Sequence, residues 1–369
     1  MRFVFYTNNV SPHQLPLAAR LMARVGRENF LYVMEEREWY GKIVETDLPI
    51  ARADDERARE WLENAEMMYT GGLRPIDLME RRAKRGLKTL YYSERWFKPI
   101  EFKVQGLRFK VPGWVRMLVP WYRKMARRFV KLVNENDCVT FLPVGPWARR
   151  DFMKMGVWAE KMVDWGYFVS PSVAVTTPRG EDAAGTVKIR WVGRMLGWKR
   201  VETIIRAANE LNEFKVQDLK FKVTLVGDGP EKANLIKLAQ RLFPNDVAIE
   251  QSNNPNNQAI DFLPRQPLEK VRDLMQHYDL YVLASDACEG WGAVVNEALE
   301  EGMSVIGTFE AGASAAILPR ERLFPAGDWK ALRDLVVKES RGALPECSIG
   351  PWTADAAAKK VLGLGGWHG

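Results

Sequence analysis

The sequence has little cysteine and histidine, with three of each in 369 residues. Its cysteines, Cys138, Cys288 and Cys347, lie far apart and show no Cys-x-x-Cys spacing. A disulfide framework and a zinc cluster are therefore implausible, and a reducing cytoplasm fits best. No apolar run approaches the roughly 18 residues that a membrane-spanning helix needs. The opening segment MRFVFYTNN also has too short an apolar run for a secretory signal, so we expect neither a membrane span nor an export address.

Two nucleotide-binding motifs are also missing. The first predicted strand is followed by NNVSPHQ rather than by a Gly-x-Gly-x-x-Gly loop, and the sequence contains no Walker P-loop. These absences remove the main support for a dinucleotide-binding protein. The GDGP segment at 227–230 has two glycines at a spacing of two, which by itself indicates only a turn at the end of a strand.

What the sequence does contain is typical of a globular α/β enzyme with two domains. Apolar residues make up 47% and charged residues 27% of the chain, which excludes disorder as its main state. Short apolar runs alternate with amphipathic stretches in two successive series, which predicts parallel sheets with helices on both faces. We predict two doubly wound Rossmann-like domains facing a central cleft, with boundaries at 1–168 and 187–350. A linker at 169–186 separates them, and a helix in 351–369 is expected to cross back to the first domain.

Positive charge is concentrated between residues 98 and 134, where ten basic residues face a single acid, Glu101. The segment WYRKMARRFVKLV has Trp121, Met125, Phe129 and Val133 at intervals of four, which predicts a helix with one apolar stripe. Together with an apolar loop just before it, this helix forms a candidate surface for anionic lipid headgroups. The candidate membrane patch comprises Trp114, Trp121, Arg123, Lys124, Arg127, Arg128 and Lys131. One alternative is that the apolar stripe packs on the domain core and the basic side chains are simply solvated. Another is nucleic-acid binding, for which the sequence has no supporting motif.

In the second domain, VGRMLGWKR places Arg194 and Lys199 after a predicted strand and ahead of a helix. Two cations beside helix N-terminal amides can hold a diphosphate without a metal ion. The alternative is that both are ordinary surface cations in a loop. Farther along, Glu289 falls in a loop before a helix, and Glu297 is predicted two turns into that helix. A carboxylate at a helix start can simply cap it, whereas Glu297 could accept two ribose hydroxyls.

These segments carry a resemblance to a known family. The ordered set VGRMLGWK, LVGDGP, FLPRQP and EGWGAVVNEALEEGMSVIGT resembles the nucleotide-binding domain of GT-B glycosyltransferases, specifically the large retaining family 4. The two glutamates separated by seven residues are its most diagnostic part, and the resemblance is specific over about 187–317. NNVSPHQLPLAARL, AEMMYTGGL, YYSERWF and VDWGYFVSPS are similar to bacterial members that assemble polysaccharides.

The resemblance implies roles for individual residues of the second domain, which it makes the nucleotide-sugar-binding domain. Arg194 and Lys199 would bind the donor diphosphate, Glu297 the ribose, and Glu289 the transferred sugar or the reacting face. The other implied donor contacts are the backbone of Gly290, Trp291 and Gly292, the base neighbours Leu263 and Arg265, and Gly227. Trp291 stands where the family usually has phenylalanine.

The first domain would bind the acceptor, and its candidate residues follow predicted strands. His13 lies in the loop after the first strand and is either a sugar contact or a turn residue. Glu94 also follows a predicted strand and is a carboxylate well placed for a role in the site. The alternative is that Glu94 only caps a helix or is a surface charge. Arg95 beside it could bind an anionic acceptor. Gly71 and Gly72 are expected to allow a close backbone approach at the same site.

We therefore expect a retaining, metal-independent glycosyltransferase that uses a nucleotide-diphosphate sugar and no cofactor. The expected acceptor is a glycan or a lipid-linked glycan in cell-surface polysaccharide synthesis, at the inner face of the plasma membrane, and no nucleic acid is involved. Two alternatives are a GT-B relative with altered chemistry, such as a phosphorylase or epimerase, and a non-catalytic sugar-nucleotide-binding subunit that recruits a partner to the membrane.

Overall fold

A computed structural model of the chain describes residues 1–36, 38–39, 42–72, 74–104, 107–170, 186–213, 220–249 and 259–367. The chain forms two compact units, one of Met1–Ser170 with Pro351–Gly369 and one of Pro171–Gly350. Most of the expected linker at 169–186 lies outside the described residues.

The first unit is built on a parallel sheet. Its strands are β1 (Phe3–Asn9), β2 (Phe30–Glu36), β3 (Glu38–Trp39), β4 (Lys42–Ile43), β5 (Ile50–Arg52), β6 (Met67–Gly71), β7 (Lys88–Ser93), β8 (Ile100–Val104), β9 (Leu107–Val111) and β10 (Val139–Pro143). Its helices before the second unit are α1 (Leu15–Val25), α2 (Glu56–Asn64), α3 (Ile76–Lys84), α4 (Pro120–Glu135) and α5 (Pro146–Met155). Six strands pair in parallel in the order β10-β7-β6-β1-β2-β5, while β3–β4 and β8–β9 form antiparallel pairs.

The central strands of this sheet are buried on both faces, as parallel strands covered by helices must be. All five residues of β6 and the first five of both β1 and β2 are buried. Their sequences, FVFYT, FLYVM and MMYTG, are correspondingly almost continuous in apolar and aromatic residues. Because these strands run in parallel, the loops that follow β1, β6 and β7 emerge at one edge of the sheet.

Helix α4 divides the apolar stripe predicted from its sequence. Met125, Phe129 and Val133 are buried in the core of the first unit, where the Phe129 ring contacts those of Tyr91 and Trp96. Trp121, one turn earlier, is 62% exposed. The predicted helix is present, and its apolar residues lie in two environments: Met125, Phe129 and Val133 pack on the core, whereas Trp121 in the first turn lies at the surface.

The second unit has a seven-stranded parallel sheet. Its strands are β11 (Thr186–Arg194), β12 (Lys220–Asp228), β13 (Val247–Ile249), β14 (Ile260–Leu263), β15 (Leu280–Leu283), β16 (Ser304–Thr308) and β17 (Leu323–Phe324). Its helices are α6 (Val201–Glu213), α7 (Lys232–Leu242), α8 (Leu268–Met275), α9 (Val294–Glu300), α10 (Gly312–Ile317) and α11 (Trp329–Ser340). The strand order is β13-β14-β12-β11-β15-β16-β17. Two parallel sheets of six and seven strands confirm the predicted fold class.

The last helix, α12 (Ala354–Leu364), follows the second unit in sequence but belongs to the first. It packs against α1, and its apolar face, including Val361 and Leu362, is buried. An ion pair of 2.7 Å joins Arg24 of α1 to Asp355. Among the described residues, no helix combines the length and apolar character needed to cross a bilayer.

Candidate active site

The carboxyl ends of the second unit's strands bring most of the predicted donor residues to one edge of its sheet. Arg194 is the last residue of β11, in register with Asp228 at the end of β12. Leu263 ends β14 and is half-buried, and Arg265 is exposed in the loop that follows. A short 3-10 turn, Gly197–Lys199, then leads into α6. Ligands of open parallel sheets bind at this edge.

Two of the predicted residues are in direct contact. The Lys199 ammonium forms an ion pair with Glu289, and the two side chains are only 15% and 10% exposed. The Ser285 hydroxyl donates to the same Glu289 carboxylate oxygen at 2.9 Å, and the Thr308 hydroxyl donates to the Ser285 carbonyl at 2.5 Å. Lys199 also lies over the ring of Trp198, 4.5 Å from its centre. The Glu289 carboxylate is thus held in one position, and Lys199 is a partner of Glu289 rather than an isolated surface cation.

Backbone hydrogen bonds join the two loops that carry this ion pair. The Asp286 N–H donates to the Trp198 carbonyl at 2.9 Å. The Asp286 carboxylate in turn accepts from the Cys288 N–H, also at 2.9 Å. The loop after β15 and the turn before α6 therefore form one hydrogen-bonded structure, which keeps Lys199 and Glu289 together.

Glu297 lies in the first turn of α9, which begins at Val294, so the expectation that it sits two turns into the helix is wrong. Its side chain is buried, and burial raises its pKa from 4.5 to about 7. Arg272 opposes this rise while Glu301 adds to it. Because Arg272 forms a 2.7 Å ion pair with Glu301, its charge is largely committed there. Glu297 is therefore a carboxyl group that can change its protonation state near neutral pH.

Several glycines at this edge are required by close backbone contacts. A Cβ on Gly227 would lie 1.9 Å from the carbonyl oxygen of Gly193 on the neighbouring strand, and its φ of 147° disfavours other residues. Gly227 was expected to let the chain pass near a nucleotide; the contact that the structure shows is between β12 and β11. A Cβ on Gly312, at the start of α10, would lie 2.2 Å from the Gly290 carbonyl, and Gly292 has a φ of 92°. The 290–292 segment therefore packs directly on α10.

The Trp291 side chain faces the protein interior. Its ring is 1% exposed, and the indole N–H donates to Asn296 at 2.9 Å. The Trp291 carbonyl accepts from the Ala313 N–H at 2.8 Å. The Trp291 indole therefore packs inside the second unit, and the predicted backbone contact of 290–292 with a donor stays a prediction.

The first unit has a cavity of about 340 Å³ at the edge where β1, β6 and β7 end. Its lining combines aromatic rings, amides, a carboxylate and two guanidinium groups. The lining residues are Asn8, Gln14, Gly72, Arg74, Tyr91, Tyr92, Ser93, Glu94, Arg95, Trp96 and Tyr167. Three predicted acceptor residues, Gly72, Glu94 and Arg95, are among them. Stacking rings and hydrogen-bonding groups in one cavity suit a polar ligand such as a sugar.

The two charged residues predicted for this cavity both have partners. Glu94 forms an ion pair with Lys98 and accepts a 2.8 Å hydrogen bond from the Tyr167 hydroxyl. Arg95 forms a largely buried ion pair with Asp151 of α5, with Nε 2.7 Å from the carboxylate. The Arg95 charge is therefore compensated by Asp151 within the first unit, and binding of an anionic acceptor by Arg95 stays a prediction.

The other predicted acceptor residues have local contacts within the first unit. His13 is half-buried with its ring 6.3 Å from that of Tyr167, and burial lowers its pKa below the usual 6.5. The imidazole is therefore neutral at pH 7. A Cβ on Gly71 would lie 2.2 Å from the Tyr92 ring, so the close approach expected there is to a side chain. Gly72 has a φ of 72° and a Cβ there would meet Asn8.

Sequence reasoning missed the amide and phenol groups that line the first-unit cavity. Gln14 donates to the Tyr92 hydroxyl at 2.6 Å and accepts from Tyr32 at 2.9 Å. The signal available was position: Asn8 lies near the end of β1, and Tyr92 near the end of β7. Ser285 and Thr308, which hold Glu289, likewise follow or end strands of the second sheet.

The candidate membrane patch is less uniformly charged than its sequence suggests. Arg128 forms ion pairs of 2.6 Å with both Asp77 and Glu80, so its positive charge is compensated by these two carboxylates. Lys131 lies 3.9 Å from Glu135. Three exposed basic side chains have no carboxylate partner among the described residues: Arg123, Lys124 and Arg127. Trp114 is 60% exposed, which with Trp121 leaves two tryptophans at the surface beside these charges.

Comparison with known proteins finds a family model that matches the second unit and solved structures that share the architecture of the whole chain. Residues 183–338 match the family model described as Glycosyl transferases group 1. No curated protein matches the chain. Anabaena HepE in complex with UDP is similar over 99% of this chain and 98% of its own, with 16% identity and a TM-score of 0.62. The lipopolysaccharide outer core galactosyltransferase WaaB in its apo form is similar over 99% of each chain, with 14% identity and a TM-score of 0.67.

A third similar structure is the UDP-forming α,α-trehalose-phosphate synthase from Burkholderia xenovorans. It has 10% identity and a TM-score of 0.58 over 99% of this chain and 95% of its own. The fold is therefore that of GT-B glycosyltransferases, with two units each built on a parallel sheet. The family match over the second unit makes this chain a glycosyltransferase.

Proposed function

We propose that this glycosyltransferase is a retaining, metal-independent enzyme of family 4 that uses a nucleotide-diphosphate sugar. The observation that carries the proposal is the contact between Lys199 and Glu289 at the carboxyl edge of the second sheet, with Arg194 and Glu297 on the same edge. These are the four residues in which the sequence resembles family 4. The UDP bound by Anabaena HepE, which shares the fold, supports a nucleotide donor.

The proposed chemistry places positive charge on the leaving group. Transfer from a nucleotide sugar develops oxocarbenium character at the anomeric carbon while negative charge builds on the departing diphosphate. Arg194 would bind phosphate oxygens through its planar guanidinium, and Lys199 would add a point charge. These two cations would do the work for which other transferases use a metal ion. Lys199 would then share its ammonium protons between the phosphate and Glu289.

The proposed roles of the two glutamates differ because their environments differ. Glu289 pairs with Lys199 and accepts a hydrogen bond from Ser285, so its carboxylate can accept hydrogen bonds from sugar hydroxyls in a fixed direction. Glu297 is buried at the start of α9 and would bind the ribose hydroxyls. Retention would follow from front-face attack, in which the leaving phosphate takes the proton of the acceptor hydroxyl, so no protein nucleophile is required.

The proposed acceptor is a glycan, free or lipid-linked, in cell-surface polysaccharide synthesis. Its terminal sugar would bind in the first-unit cavity, where Tyr92, Trp96 and Tyr167 supply rings for stacking and Glu94 supplies a carboxylate. The exposed Trp114 and Trp121 beside Arg123, Lys124 and Arg127 would contact the anionic inner face of the plasma membrane. This patch would make the enzyme a peripheral membrane protein.

Replacement of Glu289 by glutamine tests the catalytic role. Glutamine keeps the shape but loses the charge, so we expect kcat for sugar transfer to fall about 100-fold. Binding of the nucleotide diphosphate, measured by calorimetry, should change little, because Arg194 and Lys199 are retained. Screening purified protein against UDP-, GDP- and dTDP-sugars, with release of nucleotide as the readout, provides the assay.

A matched control separates this effect from loss of structure. Glu301→Gln removes a carboxylate whose side chain is 2% exposed, against 10% for Glu289, and which pairs with Arg272 rather than with Lys199. It should affect stability more than transfer. Full activity in Glu289→Gln would remove Glu289 from the mechanism, and binding of nucleotide sugars without transfer in the wild type would favour the non-catalytic subunit.

A further inference from the structure

The charged groups around the first-unit cavity leave one guanidinium without an acidic partner. Glu94 is neutralised by Lys98, and Arg95 by Asp151. Arg74, which also lines the cavity, is exposed, and no carboxylate in the described part of the chain pairs with it. The uncompensated charge of this cavity is therefore positive and belongs to Arg74.

The position of Arg74 is fixed by aromatic rings. Its guanidinium carbon lies 4.9 Å from the centre of the Trp96 ring and 5.2 Å from that of Tyr122. Stacking uses the face of a guanidinium and leaves its N–H edges available for hydrogen bonds. Its positive charge also acts on Tyr91, where it opposes the rise in pKa caused by burial. Arg74 is thus held ready to bind an anion with its N–H groups.

A second cation lies next to the same tryptophan. Arg116 Nη1 donates to the Trp96 carbonyl at 2.9 Å, and none of the described carboxylates forms an ion pair with this guanidinium. Arg74 and Arg116 therefore flank Trp96, one at its ring and one at its backbone. Two guanidinium groups that share a neighbour and lack acidic partners suit a phosphate or pyrophosphate, whose oxygens accept paired N–H bonds.

These arginines connect the cavity with the exposed apolar surface. Tyr122, under Arg74, is followed along α4 by the core-packed turns and preceded by the exposed Trp121. Arg116 belongs to the 3-10 segment Gly113–Leu118, which carries the exposed Trp114 and Leu118. A cavity lined by aromatic and polar side chains, a pair of cations and an apolar surface thus follow one another. A glycolipid with a phosphate between its sugar and its lipid has the same order.

We propose that Arg74, assisted by Arg116, binds the phosphate of a lipid-linked acceptor. The terminal sugar would occupy the first-unit cavity, and the lipid would leave along Trp114, Leu118 and Trp121. This inference deepens the proposed function and rests on it for the identity of the cavity as the acceptor site. It commits to a lipid phosphate rather than to free phosphate or a soluble sugar phosphate.

The test compares Arg74→Gln with Arg57→Gln in the full chain. Arg57 is also an exposed arginine over a tryptophan ring, 5.9 Å from Trp61, but it does not line the cavity. The probes are phosphatidylcholine vesicles that contain equal fractions of either polyprenyl phosphate or phosphatidylglycerol. We expect the wild type and Arg57→Gln to bind polyprenyl-phosphate vesicles about tenfold more tightly than phosphatidylglycerol vesicles. Arg74→Gln should lose this preference.

Three outcomes of the vesicle experiment would overturn the inference: an unchanged preference in Arg74→Gln, equal binding of both vesicles by the wild type, or equal loss in Arg57→Gln. Calorimetry with inorganic phosphate and glucose 1-phosphate distinguishes the sources. If either binds the wild type as tightly as polyprenyl-phosphate vesicles do, and this binding is lost in Arg74→Gln, the site takes free phosphate and the commitment to a lipid phosphate fails. No donor sugar is used, so vesicle binding decides this inference separately from the transfer assay, which decides the proposed function.

Discussion

At the scale of single residues, Glu297 shows how burial can turn an ordinary carboxyl into a group that titrates near neutral pH. It lies in the first turn of α9, where helix N-terminal N–H groups favour negative charge. Desolvation outweighs that effect and raises its pKa to about 7. The proton is therefore bound more tightly in the folded chain than in the unfolded chain, whose glutamate has a pKa near 4.5.

This shift predicts how stability depends on pH. The contribution of Glu297 to folding is most favourable below pH 4.5 and is lost as pH rises toward and through 7, since the folded state must then ionise a buried carboxyl. Relative to Glu297→Gln, the free energy of unfolding of the wild type should fall by about 3 kcal/mol between pH 4.5 and 8. Urea titrations of both proteins at these two pH values measure the difference. Parallel pH dependences would refute the assignment.

At the scale of secondary-structure elements, α4 contributes to the core with one part of its length and to the surface with another. Phe129 is fully buried against the rings of Tyr91, Trp96, Phe141 and Phe152. Trp121, two turns earlier, contacts Tyr122 edge-on and is otherwise exposed. The same helix thus contributes to the core with its later turns and to the candidate membrane patch with its first.

Two alanine substitutions on α4 should therefore affect different properties, one the stability of the first unit and the other its binding to membranes. Phe129→Ala should destabilise the first unit by about 3–5 kcal/mol, because it leaves a cavity among four rings. Trp121→Ala should change stability by no more than about 0.5 kcal/mol. It should, however, weaken binding to phosphatidylglycerol vesicles about tenfold through loss of a large apolar side chain at the membrane surface. Denaturant titration and vesicle sedimentation measure the two effects, and unchanged sedimentation would argue for a merely solvated face.

At the scale of the whole molecule, the first unit is made from two separate parts of the chain. Helix α12 packs on α1 and covers its surface with Ala357, Ala358, Val361 and Leu362. The ion pair between Arg24 and Asp355 is partly exposed, so its contribution is small. Burial of the apolar face accounts for most of the attachment.

Placing a charge on that face should destabilise the first unit selectively. Val361→Asp buries an unpaired carboxylate at a fully buried position, which we expect to cost at least about 3 kcal/mol. The second unit has its own core and should keep its transition. Calorimetry of the wild type and the variant should show one shifted and one unshifted component. A shift of both components would mean that the two units unfold together.

The fold could be predicted from the sequence because parallel sheets leave a strong pattern. Strands such as FVFYT and FKVTLVG are rich in apolar and β-branched residues, and the helices between them have clear amphipathic periodicity. The contact between Lys199 and Glu289 agrees with the same rule, since both residues come after parallel strands of the second sheet. Position along the chain was therefore enough to predict which loops meet.

What the sequence could not predict is which charges neutralise one another. Arg95 and Asp151 are 56 positions apart, and nothing in either segment indicates that they pair. Arg128 likewise forms ion pairs with Asp77 and Glu80, which lie on another helix. Arg74 remained unnoticed because its importance depends on those pairings: it becomes distinctive only once the neighbouring charges have found partners.

The return of α12 to the first unit has a consequence for synthesis on the ribosome. Residues of α1 emerge early, but the helix that covers them is made only after the whole second unit. At about 5–20 residues per second, the ribosome takes roughly 15 to 65 seconds to make the residues between α1 and α12. During this time the apolar face of α1 is uncovered in the nascent chain, and a chaperone can bind there. A chain terminated before α12 would keep this face exposed and would be prone to aggregation.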